Sequence, residues 1–384
     1  MEKHAEFDEI RPYHDEELPQ VFEELIADPQ FQHIATVAMP GIPFEVLAQG
    51  MRQCKTKSEF QKNFGYKILW NIAKSCCDGL TLDHTAIKDK KLAYTYISNH
   101  RDITLDSGFL SVLLVDQGMD TVEIAIGDNL LIYPWIKKFV RTNKSFIVQR
   151  GLSMRQQLES SQRLSRYIHH TITDKNQSIW IAQREGRAKD SSDHTQESLL
   201  KMLAMEGGEG DAIERLLSLN IAPLCISYEY DPCDYLKAKE FQLKRDNPDY
   251  KKSVDDDLLN MATGITGYKG RVHFKVASCI NEELLKVEDN LSKQDLFTSV
   301  AVIIDKAIHS NYTLYAGNYV AYDLLLGNGE FAGKYTEQEK AHFEEYVQKQ
   351  LDKIDIPNKD IPFLKEKILY MYANPLINYL EATK

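Results

Sequence analysis

The sequence predicts an α/β fold, with a mostly parallel or mixed central sheet carrying helices on both faces and helical segments at either end. Three observations predict it. Short apolar, β-rich runs recur at residues 93–97, 122–126, 146–148, 179–182, 224–227 and 272–276, with helix-compatible stretches between most of them. That alternation is the pattern of a sheet layered with helices. Before about residue 88 and after about residue 298, apolar residues recur at helical rather than strand spacing.

In chain order, Leu18, Phe22, Leu25 and Ile26 define a first amphipathic helix. Phe60, Phe64, Ile68 and Ile72 continue the pattern beyond a loop at Met39-Pro40-Gly41-Ile42-Pro43. Residues 1–88 are therefore expected to be a helical N-terminal segment, 89–300 the α/β domain and 301–384 a helical C-terminal segment. In the last of these, Thr336 followed by Glu339 forms a capping box, and Phe343, Val347, Leu351 and Ile354 form one apolar stripe. Gly207-Gly208-Glu209-Gly210 reads as a loop within the domain, and residues 246–257 as a polar surface excursion. No internal repeat is present.

A chain of 384 residues, 43% hydrophobic and 27% charged, is long enough for one large domain with helical additions. Its formal charge of -11 argues against general nucleic-acid binding, which needs a net basic face. The six cysteines, Cys54, Cys76, Cys77, Cys225, Cys233 and Cys279, have neither CxxC nor zinc spacing and read as reduced thiols in a cytoplasmic setting. Glu2, Glu6, Asp8 and Glu9 are incompatible with a secretory signal, and no apolar run approaches the ~20 residues that span a bilayer. Membrane contact, if made, is expected to be peripheral, on the inner face of the plasma membrane.

The most informative segment is Ile97-Ser98-Asn99-His100-Arg101-Asp102-Ile103-Thr104-Leu105-Asp106, between a β-run and a helix-like stretch at residues 109–115. Histidine there would stand at the carboxyl end of a strand, where open α/β sheets place their sites. An imidazole oriented by a carboxylate takes a proton from an alcohol, because the carboxylate fixes the tautomer and stabilises the imidazolium. By itself, a histidine near two aspartates is more often a polar loop cluster.

Three further blocks follow. The second runs from Gly127-Asp128-Asn129-Leu130 through Pro134 and Arg141 to Ser145-Phe146-Ile147-Val148-Gln149-Arg150. The third is Ile179-Trp180-Ile181-Ala182-Gln183-Arg184-Glu185-Gly186-Arg187-Ala188-Lys189, and the fourth Ile221-Ala222-Pro223-Leu224-Cys225-Ile226-Ser227-Tyr228-Glu229. In this order the four resemble the blocks of the glycerol-3-phosphate and 1-acylglycerol-3-phosphate (lysophosphatidate) acyltransferase superfamily, bacterial type. The resemblance covers roughly residues 92–232, with weaker similarity at 268–276 and 304–323. Each block is weak evidence alone; the ordered set is not.

The resemblance implies an acyltransferase that moves a fatty acyl group from acyl carrier protein or acyl-coenzyme A to a hydroxyl of a phosphate-bearing acceptor in phospholipid biosynthesis. It implies no cofactor beyond the acyl donor and no metal. His100 would be the general base. The family has four residues between histidine and aspartate, whereas five separate His100 from Asp106 and one separates it from Asp102. Asp106 is favoured as partner because Leu105-Asp106 occupies the family's apolar-then-aspartate position; Asp102 is the alternative, or a solvated loop carboxylate.

Arginine suits the bidentate geometry of phosphate. The resemblance gives acceptor binding to Arg150, Glu185, Gly186, Arg187, Lys189 and Pro223, with Glu185 orienting the cations and Gly186 permitting close backbone approach. A carboxylate on another lipid precursor, such as an acylated amino acid, would suit the same arginines. Between Lys137 and Arg166 stand eight basic residues against one acid, Glu159, beside Tyr133, Trp135 and Phe139. Such a stretch either meets anionic lipid headgroups or an acidic carrier protein, or is a helix face paired with acids elsewhere. Amide groups opening the helix after His100 are candidate oxyanion donors. Cys225, inside an apolar strand, is expected to pack rather than carry an acyl group.

Rival readings have less support. His100-Arg101-Asp102 shares three letters with kinase catalytic loops, but Ser107 stands where those loops need asparagine, and neither a glycine-rich phosphate loop nor Asp-Phe-Gly is present. A metal-dependent hydrolase would need a second cluster, and His169, His170 and His194 lie on polar stretches. A scaffold that keeps the fold without turnover is the remaining alternative.

Overall fold

The computed structural model describes residues 5–39, 41–288 and 291–384; Glu2 and Pro40 lie outside them. Seven strands form one sheet in the order β1-β7-β6-β2-β5-β3-β4. They are β1 (Cys77–Asp83), β2 (Thr95–Ser98), β3 (Glu123–Gly127), β4 (Ser145–Val148), β5 (Ile179–Ala182), β6 (Ile221–Tyr228) and β7 (Gly270–Val276). β2 through β6 are mutually parallel, β7 runs antiparallel to β6, and β1 pairs in parallel with β7. The sheet is therefore mixed; of its two edge strands, β4 coincides with an apolar run of the sequence and β1 does not. All four residues of β2 and all eight of β6 are buried, as strands covered on both faces must be.

The N-terminal helices are α1 (Leu18–Ile26), α2 (Pro29–Ala38), α3 (Phe44–Gln53) and α4 (Tyr66–Cys76). Helix thus ends at Cys76, inside the segment expected to be helical throughout, and Cys77–Asp83 is strand. β1 is an edge strand with mixed polar and half-buried residues, and its partner lies about two hundred positions away, so nothing local announces it. Pairing Leu80 and Leu82 with Val272 and Phe274 is what specifies it.

In the α/β domain come α5 (Leu105–Asp116), α6 (Pro134–Thr142), α7 (Met154–His169), α8 (Asp234–Asp246) and α9 (Val254–Thr266). α10 (Lys293–His309) crosses residue 300 and packs against β6, so the sheet's covering layer continues past the expected boundary. α11 (Ala316–Leu326), α12 (Glu337–Asp352) and α13 (Ile361–Ala382) complete the chain. The capping box at Thr336 and Glu339 opens α12, and its stripe of Phe343, Val347 and Leu351, continued by Ile354 beyond the helix, is buried against α11 and α13.

Ile97, Phe146, Ile179, Ile181 and Ile221 carry one face of the sheet, against α7 and α10. Tyr96, Trp180, Ala222, Leu224 and Phe274 carry the other, against α4 and α5. α5 is apolar almost all round because it is covered by the sheet on one side and α4 on the other. Gly108 allows that approach, since a Cβ there would lie 2.9 Å from Leu69 Cδ2.

Among the described residues no helix is long and apolar enough to cross a membrane. Most cations of the 137–166 stretch meet acids: Lys138 pairs with Glu24, Lys144 with Asp120, Arg150 with Glu185, Arg155 with Glu159, Arg163 with Glu9 and Arg166 with Glu6. Arg141 is buried, donating to the Arg11 and Asp8 carbonyls. Pairing with acids elsewhere is therefore present, with Lys144 and Arg150 standing in loops rather than on a helix face.

Candidate active site

Because β2 through β6 are parallel, their carboxyl ends share one edge of the sheet. Ser98, Gly127, Val148, Ala182 and Tyr228 end these strands, so the loops bearing His100, Arg150, Glu185, Gly186, Arg187 and Lys189 converge there. Asn99 ties the His100 loop to β6, accepting from the Ile226 amide at 2.8 Å and donating to its carbonyl at 2.9 Å.

His100 Nδ1 lies 2.8 Å from Asp106 Oδ2. That oxygen also accepts from the amides of Arg101 at 2.6 Å and Asp102 at 3.0 Å, while Tyr228 Oη donates to Asp106 Oδ1 at 3.0 Å. Burial and the Asp106 charge hold the Tyr228 phenol far above its ordinary pKa, so it remains a donor. Asp106 is fully buried and the His100 side chain 12% exposed. A carboxylate only accepts, so Nδ1 carries the proton and Nε2 is left with its lone pair. Nε2 has no hydrogen-bond partner among the described residues. The ring meets Trp180 edge-on at 5.6 Å, and Trp180 is held by its Nε1 donating to Ser98 Oγ at 3.0 Å.

Asp102 is not a solvated carboxylate. It is 3% exposed and accepts from the amides of Thr104 and Leu105, both at 2.8 Å, capping the start of α5. Among the described residues it makes no hydrogen bond to the imidazole. Burial, then the neighbouring Asp106 charge, raises its pKa against the pull of the two amides and Arg187. The amides of Arg101, Asp102, Thr104 and Leu105 are thus all engaged by carboxylates, and the oxyanion donors expected at this turn are not these four.

Arg150 pairs with Glu185, and Lys189 with Glu240 of α8. Gly127 lets Arg150 approach, because a Cβ there would lie 2.6 Å from its Nε. Gly186 turns the third loop at φ +68, a backbone conformation natural to glycine. Pro223 lies buried in β6, where its carbonyl accepts from the Ala277 amide at 2.8 Å. It sits within the sheet rather than in a loop. Arg187 differs from the other cations: its Nη2 donates to Asn260 Oδ1 of α9 at 3.1 Å, a neutral partner. Arg184, one residue before Glu185, has no hydrogen-bond or ion-pair partner among the described residues, and its Nε is buried.

Several residues that shape this edge carried no sequence signal as a set. Arg101 is bound by Asp193 at 2.6 and 3.3 Å. Burial works against that guanidinium's charge, yet the carboxylate outweighs it and raises its pKa. Tyr312 Oη, donating to Asp193 Oδ2 at 2.5 Å, and His309 Nε2, 2.9 Å from the Asp193 backbone carbonyl, complete the cluster. Asp193 has φ +48, held by these contacts. From the C-terminal layer, Asn374 and Asn378 of α13 donate to the carbonyls of Asp190 and Ser192, so this layer braces the loop that presents Arg187. Cys225 is buried, and burial pushes its thiol up to about 12, which suits packing and not nucleophilic attack.

A strand-end imidazole held by a buried carboxylate, with guanidinium groups on the adjoining loop, is an arrangement able to take a proton from a hydroxyl beside an anionic group. Residues 84–227 match the family model described as Acyltransferase, and the protein is an acyl-transferring enzyme. A comparison with curated proteins gives no match. A solved structure described as the 1-acyl-sn-glycerophosphate (LPA) acyltransferase, PlsC, from Thermotoga maritima is similar over 77% of this chain and 94% of that chain, at 10% identity and a TM-score of 0.36.

Proposed function

We propose that the enzyme moves a fatty acyl group from a thioester, acyl-acyl carrier protein or acyl-coenzyme A, to a hydroxyl of glycerol 3-phosphate or 1-acylglycerol 3-phosphate in phospholipid biosynthesis. The observation that carries this reading is the His100 Nδ1 to Asp106 Oδ2 hydrogen bond of 2.8 Å, which turns the free Nε2 lone pair into a base. Nε2 takes the acceptor's hydroxyl proton as that oxygen attacks the thioester carbonyl carbon. The tetrahedral intermediate collapses, the carbon–sulfur bond breaks, and the departing thiolate recovers the proton from the imidazolium. Asp106 and Tyr228 hold the ring in one tautomer throughout. The acceptor's phosphate meets Arg187 and Arg184, the cations of this edge that no carboxylate bonds directly. Acceptors with lipid tails would be met from the membrane surface, on the cytoplasmic side, with the protein peripheral.

The test is incubation with labelled acyl-coenzyme A or acyl-acyl carrier protein and a panel of acceptors, with the lipid formed identified by mass. Acylation of glycerol 3-phosphate or its monoacyl form supports the reading. Turnover confined to acceptors without phosphate would shift the assignment to another lipid precursor, and no product at all would leave the fold as a binding scaffold.

A further inference from the structure

α9 lies outside the family match, between β6 and β7, yet it touches the site at two places. Near its carboxyl end, Gly264 rests on the catalytic loop: a Cβ there would lie 2.2 Å from Asp102 Oδ2. One turn earlier, Asn260 is 5% exposed and uses all its polar groups. Its Nδ2 donates to the Asp256 carbonyl at 2.7 Å, its Oδ1 accepts from Arg187 at 3.1 Å, and its carbonyl accepts from Cys233 Sγ at 3.3 Å. The helix is fixed beyond its C-terminus too. Lys269, fully buried, donates to the Gly267 carbonyl at 2.7 Å and reaches Cys76 Sγ at 3.3 Å, joining the end of α9 to the end of α4.

The charge pattern gives this contact its meaning. At the same sheet edge Arg101 is neutralised by Asp193, Arg150 by Glu185 and Lys189 by Glu240. Arg187 alone among the cations proposed for acceptor binding is held by a neutral side chain. This holds although α9 opens with three consecutive acids, Asp255, Asp256 and Asp257. An amide oxygen satisfies one N–H and fixes the guanidinium plane without cancelling its charge. Arg187 remains charged, because Cys233, Asp231 and Asp102 around it outweigh the burial that works against it.

We propose that α9 is a specificity element in which Asn260 is a positioning residue: it aims Arg187 while leaving its positive charge for the acceptor's anionic group. The claim rests on the acyl-transfer reading above and adds to it the device that keeps one cation free of a directly bonded carboxylate.

The experiment compares the parent, Asn260→Ala and Asn260→Asp in steady-state transfer from acyl-coenzyme A to 1-acylglycerol 3-phosphate, with Lys349→Ala, an exposed α12 residue, as control. Asn260→Asp places a carboxylate on Arg187 and is expected to raise the acceptor KM by about tenfold or more, with donor KM and kcat within roughly threefold of the parent. Asn260→Ala, which frees the guanidinium but adds no charge, should raise the same KM less. Equal losses of kcat and melting temperature in both variants, with acceptor KM unchanged, would reduce Asn260 to a packing residue and overturn the proposal. A parent that acylates no phosphate acceptor sinks the functional reading instead. Calorimetry with sn-glycerol 3-phosphate then decides the Asn260 claim: weaker binding by Asn260→Asp than by the parent supports it, while equal binding or none overturns it.

Discussion

An acceptor-only carboxylate receiving four donors cannot become an amide without setting one N–H against another. Asp106 is in that position, facing His100 Nδ1, the amides of Arg101 and Asp102, and Tyr228 Oη. Asp106→Asn should therefore turn the imidazole to the wrong tautomer and lower kcat by about 10²- to 10⁴-fold. Asp102 makes the opposite case. Its Oδ1 accepts two amides at the start of α5, a task asparagine performs equally well. Its folded pKa is raised, so ionising it costs stability once the pH exceeds the unfolded value. Asp102→Asn removes that cost: transfer within a few fold of the parent and a melting temperature at pH 8 equal or higher are expected, read by scanning calorimetry and initial rates. Equal, large losses in both variants would show that Asp106 has no special hold on the ring.

The elements divide by how locally they are specified. β2, β5 and β6 are covered on both faces and so appear as largely apolar runs, legible without tertiary information. β1 is defined by its pairing with β7 and is silent in sequence. The first turn of α9 falls within the polar excursion at 246–257 because it is acidic, and in the structure Val254 and Leu259 of this helix face outward at 59% and 47% exposure. Its importance comes from Gly264 and Asn260, single positions whose partners are remote in the chain. The site shows the same division. His100 and Arg187 sit in compact local motifs, whereas Asp193 reaches Arg101 from 92 positions away and Asn260 reaches Arg187 from 73. Residue types within one loop carry chemistry visibly; contacts made between loops do not. At this scale Gly264→Ala is the test. Its Cβ would collide with the Asp102 side chain, so either that carboxylate or α9 must shift, and a fall in melting temperature of several degrees is expected together with a loss of transfer. Unchanged melting and rate would mean that α9 does not bear on the catalytic loop.

Across the whole molecule, the C-terminal helices are locked to the α/β domain by a buried polar cluster. Asp234 of α8 accepts from Tyr346 of α12 and Tyr372 of α13, both at 2.8 Å, and Tyr372 Oη also accepts from the Asp231 amide at 3.1 Å. Burial, then the Asp231 charge, pushes Asp234 up to about 7. The folded value exceeds the unfolded one, so the folded state binds the extra proton and this group's contribution to stability falls as pH rises from about 4 to 7. Melting temperature should accordingly be lower at pH 8 than at pH 6 through this cluster. Asp234→Asn, neutral throughout, should flatten that part of the difference; an unchanged pH profile in the variant would assign the slope to other groups. Because α13 also braces the loop bearing Arg187, through Asn374 and Asn378, loosening the cluster is expected to reach the site.

All of this chemistry converges on one ring nitrogen. Replacing His100 by alanine and measuring single-turnover acyl transfer from acyl-coenzyme A to 1-acylglycerol 3-phosphate, with circular dichroism and melting as controls, examines it most directly. The account predicts a rate at least about 10²-fold below the parent in a protein that melts as the parent does. A His100→Ala enzyme that transfers the acyl group at the parental rate would contradict it.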